Sequence, residues 1–557
     1  VNRHLLIARN YCLALLLAAS LWSPLLIPAH AQPDRLERIM QRLTLDQRVG
    51  QLFMVSFSGP LNERARDFLR TMQPGAFALF SSNGTTPEAV TRFVNDLQDI
   101  ALQNAPHLPM IMAIDHEGGT VRRLRDGFSD LPWGPALSSM PTEDAAAVGG
   151  LAAQELRAVG VTMNLAPVAD VRSDPTKRFM ENRSFGNDPK RVGGAVAAYA
   201  RGLQAGQVIA VLKHFPGHGA ADDSHAALPA IVATREQLAQ TEFAPFKMGI
   251  EAGAEAVMLG HLVVPAYEPR PDWPSSLSET LINDVLRSQL GFGGLVMTDA
   301  LDMGAIVDNV SQPEAAVLAL QAGVDMIVSG PHTSIKSQLA MKSAVLTAVL
   351  EGRIGLRRID EAARRVLALK LKYGILDWRA LDPRTATSRV GVDSHAAAIN
   401  RIYLKTVAIA KDERQQLPIA AGRPALIVFP GAYPAAQRQC LALAPWLRSF
   451  AYSLNPTPTE IAQAVTSARD VEVAVVFTYN IRDYRFQRDL VNALPPDKLV
   501  VVAMENPYDI EEGIAPGSYV TAFNAYPGAI SASCAVLFGA QTAVGTWQVG
   551  PRPSISK

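Results

Sequence analysis

The sequence predicts an α/β fold in which a (β/α)8 barrel of the TIM type is followed by a smaller α/β sandwich domain. Three observations carry this prediction. Eight short apolar, β-branched-rich runs alternate with segments of helical or loop character, polar residues stand at the ends of several of those runs, and a second, shorter alternation begins after an aperiodic stretch.

The eight runs are Gly50 to Phe57, Ala76 to Phe80, Met110 to Ile114, Thr162 to Leu165, Ile209 to Leu212, Ala256 to Leu259, Leu295 to Met297 and Asp325 to Val328. Separated by helical stretches such as Pro87 to Ala101 and Ala145 to Val159, they read as buried parallel strands. A doubly wound open sheet would present similar strands, so the polar residues carry the stronger argument. Asp115 follows the third run, Asn164 lies in the fourth with Asp170 just beyond, Lys213 and His214 follow the fifth, His261 the sixth and Asp299 the seventh. The carboxyl ends of barrel strands converge on one face, so these scattered residues predict a single site.

A helix over Leu356 to Lys372 closes the barrel, and Tyr373 to Val392 then loses periodicity while gathering Gly, Pro, Asp and Arg. The expected organisation is a leader over residues 1–31, a barrel over 32–376, a linker over 377–395 and a second domain over 396–557. That domain starts from a helix at Ser394 to Lys405 and continues with strand-like runs at Ala425 to Phe429, Val473 to Phe477, Leu499 to Met504 and Tyr519 to Phe523. Helical segments at Thr459 to Ala468 and Ala529 to Phe538 complete a sandwich pattern.

With 557 residues the chain exceeds what one hydrophobic core holds, and 48% hydrophobic with 19% charged residues is an ordinary globular composition. Lys plus Arg and Asp plus Glu each total 52, so no net field draws the protein to nucleic acid or an anionic membrane. Arg3 and Arg9, the apolar run Cys12 to Leu21 and the small-residue site Ala29-His30-Ala31 match a secretory signal cleaved after Ala31. The run is shorter than the roughly 20 residues of a spanning helix. The expected mature protein is exported to the periplasm or outside the cell, does not sit in a membrane, and is a monomer. Cys12 leaves with the leader. Cys440 and Cys534 either pair in an oxidising compartment or remain two buried thiols.

The segment richest in chemistry is Lys213 to His225, KHFPGHGAADDSH. Pro216, Gly217 and Gly219 oppose a helix, which makes it a polar loop over a pocket. Asp223 and His225 are separated only by Ser224. A carboxylate beside an imidazole fixes its tautomer, and the pair can give and take a proton; equally, the two can be local partners in an exposed turn. His214, His218, His225 and the two aspartates could also ligate zinc, although their spacing matches no strong zinc signature. Asp299, in GLVMTDALDMGAI, stands at the barrel mouth, where a carboxylate can attack an anomeric carbon or simply cap a helix. Asp302 is expected on the helix that follows.

In order, AIDHEGGTVRRL, NLAPVADV, NRSFGNDP, KHFPGHG with DSH, VMLGHLVVP and VMTDALDMGAI resemble glycoside hydrolase family 3, in its β-N-acetylglucosaminidase branch. The resemblance runs from about Leu36 to the C-terminus, strongly through the barrel and weakly beyond. It implies that Asp299 is the nucleophile of a retaining mechanism and that His225, supported by Asp223, is the general acid/base. It also implies that Asp115, Arg123, Arg183, Lys213 and His214 bind the hydroxyls of the terminal sugar. Asn164, Asp170 and His261 either join them or orient them. The implied activity is that of an exo-acting β-N-acetylhexosaminidase, requiring no cofactor or metal, on cell-wall fragments or chitooligosaccharides. A phosphorylase using the same site and a catalytically silent cell-wall-binding protein are the alternatives. Thr120 and His116 depart from the branch, where Arg and Gln are common. The second domain carries NPYDI at Asn506 to Ile510 and otherwise no catalytic constellation, so it reads as a packing partner of the barrel, with a loop supplied to the substrate mouth as the alternative.

Overall fold

The computed structural model of the chain describes residues 31–547. The expected leader lies outside the described residues apart from Ala31. The described residues 31–44, which carry the helix Ala31–Arg42, belong to a unit separate from the one that starts at Leu45.

Eight parallel strands close into a barrel: β1 (Phe53–Val55), β2 (Ala76–Leu79), β3 (Ile111–Ile114), β4 (Met163–Asn164), β5 (Ile209–Phe215), β6 (Ala256–Leu259), β7 (Leu295–Ala300) and β8 (Met326–Val328). Neighbours follow the order β1-β8-β7-β6-β5-β4-β3-β2. The returning helices start where the sequence supplies caps. Asn62 accepts the Ala65 N–H, Thr86 accepts that of Ala89, and Asp188 accepts those of Lys190 and Arg191, with Pro87 and Pro189 in the first turns of the latter two helices. Alternate residues of each strand, among them Met54, Ala76, Ile111, Met163, Ile209, Ala256, Leu295 and Met326, fill one interior cluster. Val366 and Leu369 of the helix Leu356–Lys372 join that cluster, and buried Lys370 donates to Gln51 Oε1 at 2.6 Å just before β1, so this helix seals the amino end. The opposite, carboxyl end is left for chemistry.

The second domain is a six-stranded sheet of β9 (Ala408–Asp412), β10 (Ala425–Pro430), β11 (Arg448–Tyr452), β12 (Val473–Thr478), β13 (Leu499–Ala503) and β14 (Ser518–Thr521). Their order is β9-β14-β13-β12-β10-β11, with β9 antiparallel to β14 and every other pair parallel. The fold class read from the sequence is borne out. The sequence reading had no counterpart for β9 and β11. Both are edge strands with half-exposed residues, so neither shows the continuous apolar run that marks the four central strands. Cys440, on the helix Ala435–Leu443, and Cys534, on Pro527–Leu537, form a disulfide spanning 94 positions. Between the two sheets, Leu381 exchanges two hydrogen bonds with the Asn95 amide, a short helix runs over Pro383–Thr387, and the next begins at Asp393.

Candidate active site

Strand alternation builds the site. Ile111 and Ala113, Ile209 and Val211, and Leu295 and Met297 point into the barrel, and the next residues of the same period are Asp115, Lys213 and Asp299. Each emerges where its strand reaches the carboxyl rim. Lys213, His214 and Asp299 belong to the strands themselves rather than following them, because β5 extends to Phe215 and β7 to Ala300.

Lys213 Nζ lies 2.7 Å from both Asp115 Oδ1 and Glu117 Oε1. Arg183 grips Glu117 with two bonds, Nη2 to Oε1 at 2.7 Å and Nε to Oε2 at 3.0 Å. Arg123 Nη2 stands 3.9 Å from Asp115 Oδ2. Burial would raise the Glu117 carboxyl, but Arg183 and Lys213 outweigh it and hold the group well below the ordinary carboxylate range. His214 Nδ1 faces Asp170 Oδ2 at 2.7 Å, and Arg183 Nη2 lies 3.4 Å from its Nε2. A guanidinium only donates, so Nε2 accepts and Nδ1 carries the proton. Asp170, fully buried, also accepts the N–H groups of His214 and His218. The five predicted sugar-binding residues are thus one connected network, with Asp170 in an orienting place.

Asp299 is half-buried at the floor of this rim and accepts its neighbour's Ala300 N–H at 2.7 Å. Burial opposes its ionisation, yet His214, His261, the Ala300 N–H and Lys213 together bring its carboxyl below the usual value. It is therefore an anion at neutral pH. His261 lies between Ser276 Oγ at 2.7 Å and the Ala300 carbonyl at 3.0 Å, fixing the peptide next to Asp299. Asn164 gives and takes a hydrogen bond with the His116 backbone, at 3.0 and 3.1 Å, and so pins the hairpin His116–Gly118/Val121–Arg122 that carries Glu117 and leads into Arg123.

The Asp223/His225 loop stands apart from that hydrogen-bonded rim. His225 Nδ1 meets Asp223 Oδ1 at 2.8 Å, and the His225 side chain is 62% exposed. The ring is thus tied to the carboxylate at Nδ1 and otherwise largely exposed. The loop rests on the turn after Asp299: the Gly304 N–H donates to the His225 carbonyl at 3.0 Å, and the Ala305 N–H to that of Ser224 at 3.3 Å. Inside it, His218 Nε2 pairs with Ser224 Oγ at 2.8 Å. Phe179 packs on both rings, 5.1 Å from His218 and 5.7 Å from His225 between centroids. Asp302, expected on a helix, instead lies in the turn and accepts the His332 N–H at 2.7 Å, because the helix starts only at Gly304. Among the described residues, no three His, Cys, Asp or Glu side chains gather as a metal-ligand set.

Sequence reasoning missed Glu117, the hub of the cation network, and Phe179. Glu117 stands two beyond Asp115 in DHEGG, but on the hairpin strand His116–Gly118 rather than on β3, so the strand period did not single it out. The expected packing of the second domain on the barrel runs through NPYDI and the two glutamates that follow it. Asn506 Nδ2 donates to Glu181 Oε1 at 2.8 Å, Arg172 holds Glu511 at 2.7 Å with its guanidinium 3.8 Å from the Tyr508 ring centre, and Arg178 pairs with Glu512. These contacts grip the barrel loop 172–183, which presents Phe179 and Arg183.

Residues 44–369 match the glycosyl hydrolase family 3 N-terminal domain. The chain belongs to glycoside hydrolase family 3. Within that family, a β-hexosaminidase of Stenotrophomonas maltophilia is 34% identical over 305 residues, 53% of this chain and 88% of that protein. β-Hexosaminidase A of Pseudoalteromonas piscicida is 27% identical over 67% of this chain and 68% of its own length. Among solved structures, the family 3 β-N-acetylglucosaminidase of Paenibacillus sp. FPU-7 superimposes with a TM-score of 0.82 at 32% identity, covering 90% of this chain and 98% of that one. The resemblance to family 3 and to its β-N-acetylglucosaminidase branch is borne out, and the chain is a glycoside hydrolase.

Proposed function

We propose that this glycoside hydrolase is an exo-acting, retaining β-N-acetylhexosaminidase that removes terminal β-linked N-acetylglucosamine from cell-wall fragments or chitooligosaccharides. The observation that carries the reading is the pairing of two unlike groups at one turn. Asp299 is an anion at the carboxyl rim of the barrel, and the exposed His225/Asp223 pair is docked by backbone bonds on the turn leaving Asp299.

In the first step an Asp299 oxygen bonds to C1 while the glycosidic C1–O bond breaks, and His225 gives its Nε2 proton to the departing oxygen. Asp223 keeps Nδ1–H throughout and stabilises the ring while it is cationic. In the second step neutral His225 takes a proton from water, whose oxygen bonds to C1 on the face vacated by the leaving group. The C1–Asp299 bond breaks as that bond forms, Asp299 leaves as a carboxylate, and the β configuration is retained. Lys213, Arg183 and Arg123 donate to hydroxyls, and Asp115 accepts from them. The names of the relatives support the acetamido sugar as substrate. The Cys440–Cys534 disulfide supports export to an oxidising compartment.

The test is nitrophenol release from the β-N-acetylglucosaminide and the β-glucoside, with and without phosphate, by wild type and Asp299→Ala. Selective turnover of the acetamido sugar that vanishes in the variant is the expected result. Preference for the glucoside would overturn the substrate, and a large acceleration by phosphate with release of a sugar phosphate would replace hydrolysis by phosphorolysis.

A further inference from the structure

The barrel loop 172–183 carries an aromatic ring that the chemistry above does not use. Phe179, half-buried, packs against both histidine rings of the loop after β5, its centroid 5.1 Å from that of His218 and 5.7 Å from that of His225. His218 is a fixed neighbour. It is 1% exposed, its N–H donates to Asp170 Oδ1 at 2.7 Å, and its Nε2 pairs with Ser224 Oγ at 2.8 Å. Burial pushes its pKa down to about 4, so at neutral pH it is an uncharged ring. His225 is held differently. Its Nδ1 lies 2.8 Å from Asp223 Oδ1, which fixes one atom of the imidazole but not the plane of the ring. The Phe179 ring, inclined at 65° to it, supplies a second contact, and edge-to-face ring pairs have a preferred geometry. A point and a plane together give Nε2 a direction.

Phe179 is itself anchored from the second domain. On its amino side, Arg178 pairs with Glu512, and the Arg178 carbonyl accepts from Arg482 at 3.4 Å. On its carboxyl side, Met180 is buried and Glu181 Oε1 accepts from the Asn506 amide at 2.8 Å. The Glu181 N–H closes a turn onto the Arg178 carbonyl at 3.2 Å, with Phe179 inside it. Lys177 also meets Asp222 at 2.6 Å, but both side chains are open to solvent, and such a pair is too weak to place a ring. The contacts therefore run without a break from Asn506, Arg482 and Glu512 through the turn 178–181 and Phe179 to His225.

Resting on the reading that His225 is the general acid/base, we infer that Phe179 is a positioning residue: anchored by the second domain, its ring sets the plane of the His225 imidazole and hence the direction in which Nε2 meets the glycosidic oxygen. Proton transfer depends steeply on such placement, since an error of about 1 Å can cost about a hundredfold in rate. The competing role is a direct contact with the sugar. The Arg183 guanidinium lies 6.0 Å from the Phe179 ring centre, so the ring also borders the sugar-binding network. A sugar contact is felt in KM, whereas a misdirected acid is felt in how much the leaving group needs a proton.

The experiment compares kcat/KM for the phenyl and the dinitrophenyl N-acetyl-β-glucosaminides in wild type, Phe179→Leu, Phe179→Tyr and His225→Ala. Phenolate is a poor leaving group that needs the proton, and dinitrophenolate departs without it. The inference expects the phenyl-to-dinitrophenyl ratio to fall by about 10- to 100-fold in Phe179→Leu and to return toward wild type in Phe179→Tyr. In the His225→Ala background, Phe179→Leu should leave the ratio where it is, because a ring that acts through His225 then has nothing to act on. Equal losses on both substrates, or a change confined to KM, would give Phe179 a structural or sugar-binding role and overturn the inference. Glu512→Gln weakens the anchor from the second domain and should move the ratio in the same direction, which keeps the test open if Phe179→Leu does not fold; an unchanged ratio there would overturn the anchoring. Should β-glucosides be the better substrates, the acetamido reading fails, and the same ratio on phenyl and dinitrophenyl glucosides decides the inference. A ratio that His225→Ala leaves at the wild-type value would remove His225 from proton transfer and the inference with it, whereas a ratio that falls in His225→Ala but not in Phe179→Leu overturns the positioning alone.

Discussion

At the scale of single residues, the site is a contest between burial and charge that charge wins. Glu117 shows it most clearly, since one carboxylate takes two bonds from Arg183 and one from Lys213 in a nearly closed space. Removing one member of a buried ion cluster leaves the others uncompensated, so Glu117→Gln should cost about 3–5 kcal/mol at neutral pH. The sign of its pH dependence follows from linkage. The folded protein keeps Glu117 ionised below the ordinary value of 4.5, so this stabilisation is full above that value and disappears as pH falls toward the folded value. Thermal melts from pH 7 to pH 3 should therefore show the gap between wild type and Glu117→Gln closing below about pH 4.5; a gap that widens there would contradict the assignment. Much of this was legible beforehand. Asp115, Lys213 and Asp299 stand two residues beyond the last interior side chain of their strands, a period visible in the sequence. Glu117 was less legible because it lies on a hairpin, where the strand pattern stops, and the pairings of Asp170 with His214 and of Asn164 with His116 depend on the register of neighbouring strands, which residue spacing does not give.

At the scale of elements, the Asp223/His225 loop is seated by backbone contacts. A Cβ at Gly304 would come within 2.7 Å of the His225 carbonyl and 2.9 Å of that of Ala226, so only glycine lets the turn after Asp299 support the loop. Gly304→Ala should lift His225 while leaving the cation network intact. The expected outcome is a fall in kcat approaching the roughly 10²–10⁴ attributed to general acid/base catalysis, with KM for the aryl substrate nearly constant. A fall confined to KM would place the loop in binding rather than proton transfer. Aryl leaving groups give the sharper version, because nitrophenolate needs less protonation than a sugar hydroxyl and should suffer less from the same variant. The loop's irregular backbone was legible from its prolines and glycines, whereas its seat was not, because DSH and DMGA are distant in sequence and meet through main-chain atoms that carry no residue signature.

At the scale of the whole molecule, the second domain is bound into the site. Its NPYDI segment grips the loop bearing Arg183 and Phe179, and its helices Ala435–Leu443 and Pro527–Leu537 are joined by Cys440–Cys534. A disulfide across 94 positions constrains the unfolded chain, so Cys440→Ser with Cys534→Ser should lower stability by about 2–5 kcal/mol. Denaturant melts of oxidised wild type and the double variant measure that difference, and coincident curves would show the bond to be without consequence. The two-domain plan was legible from the run of strands, the aperiodic stretch and the second run. The edge strands β9 and β11 were not, since half-exposed strands lack an apolar signature. The central claim, that Asp299 forms the covalent bond to sugar, has one direct measurement: intact and peptide mass spectrometry after incubation with a fluorinated, mechanism-based N-acetylglucosaminyl fluoride. The account predicts a single glycosyl adduct on the peptide that contains Leu295–Ala300, carried by Asp299 and absent from Asp299→Ala. An adduct on any other residue, or inactivation that persists unchanged in Asp299→Ala, would contradict it.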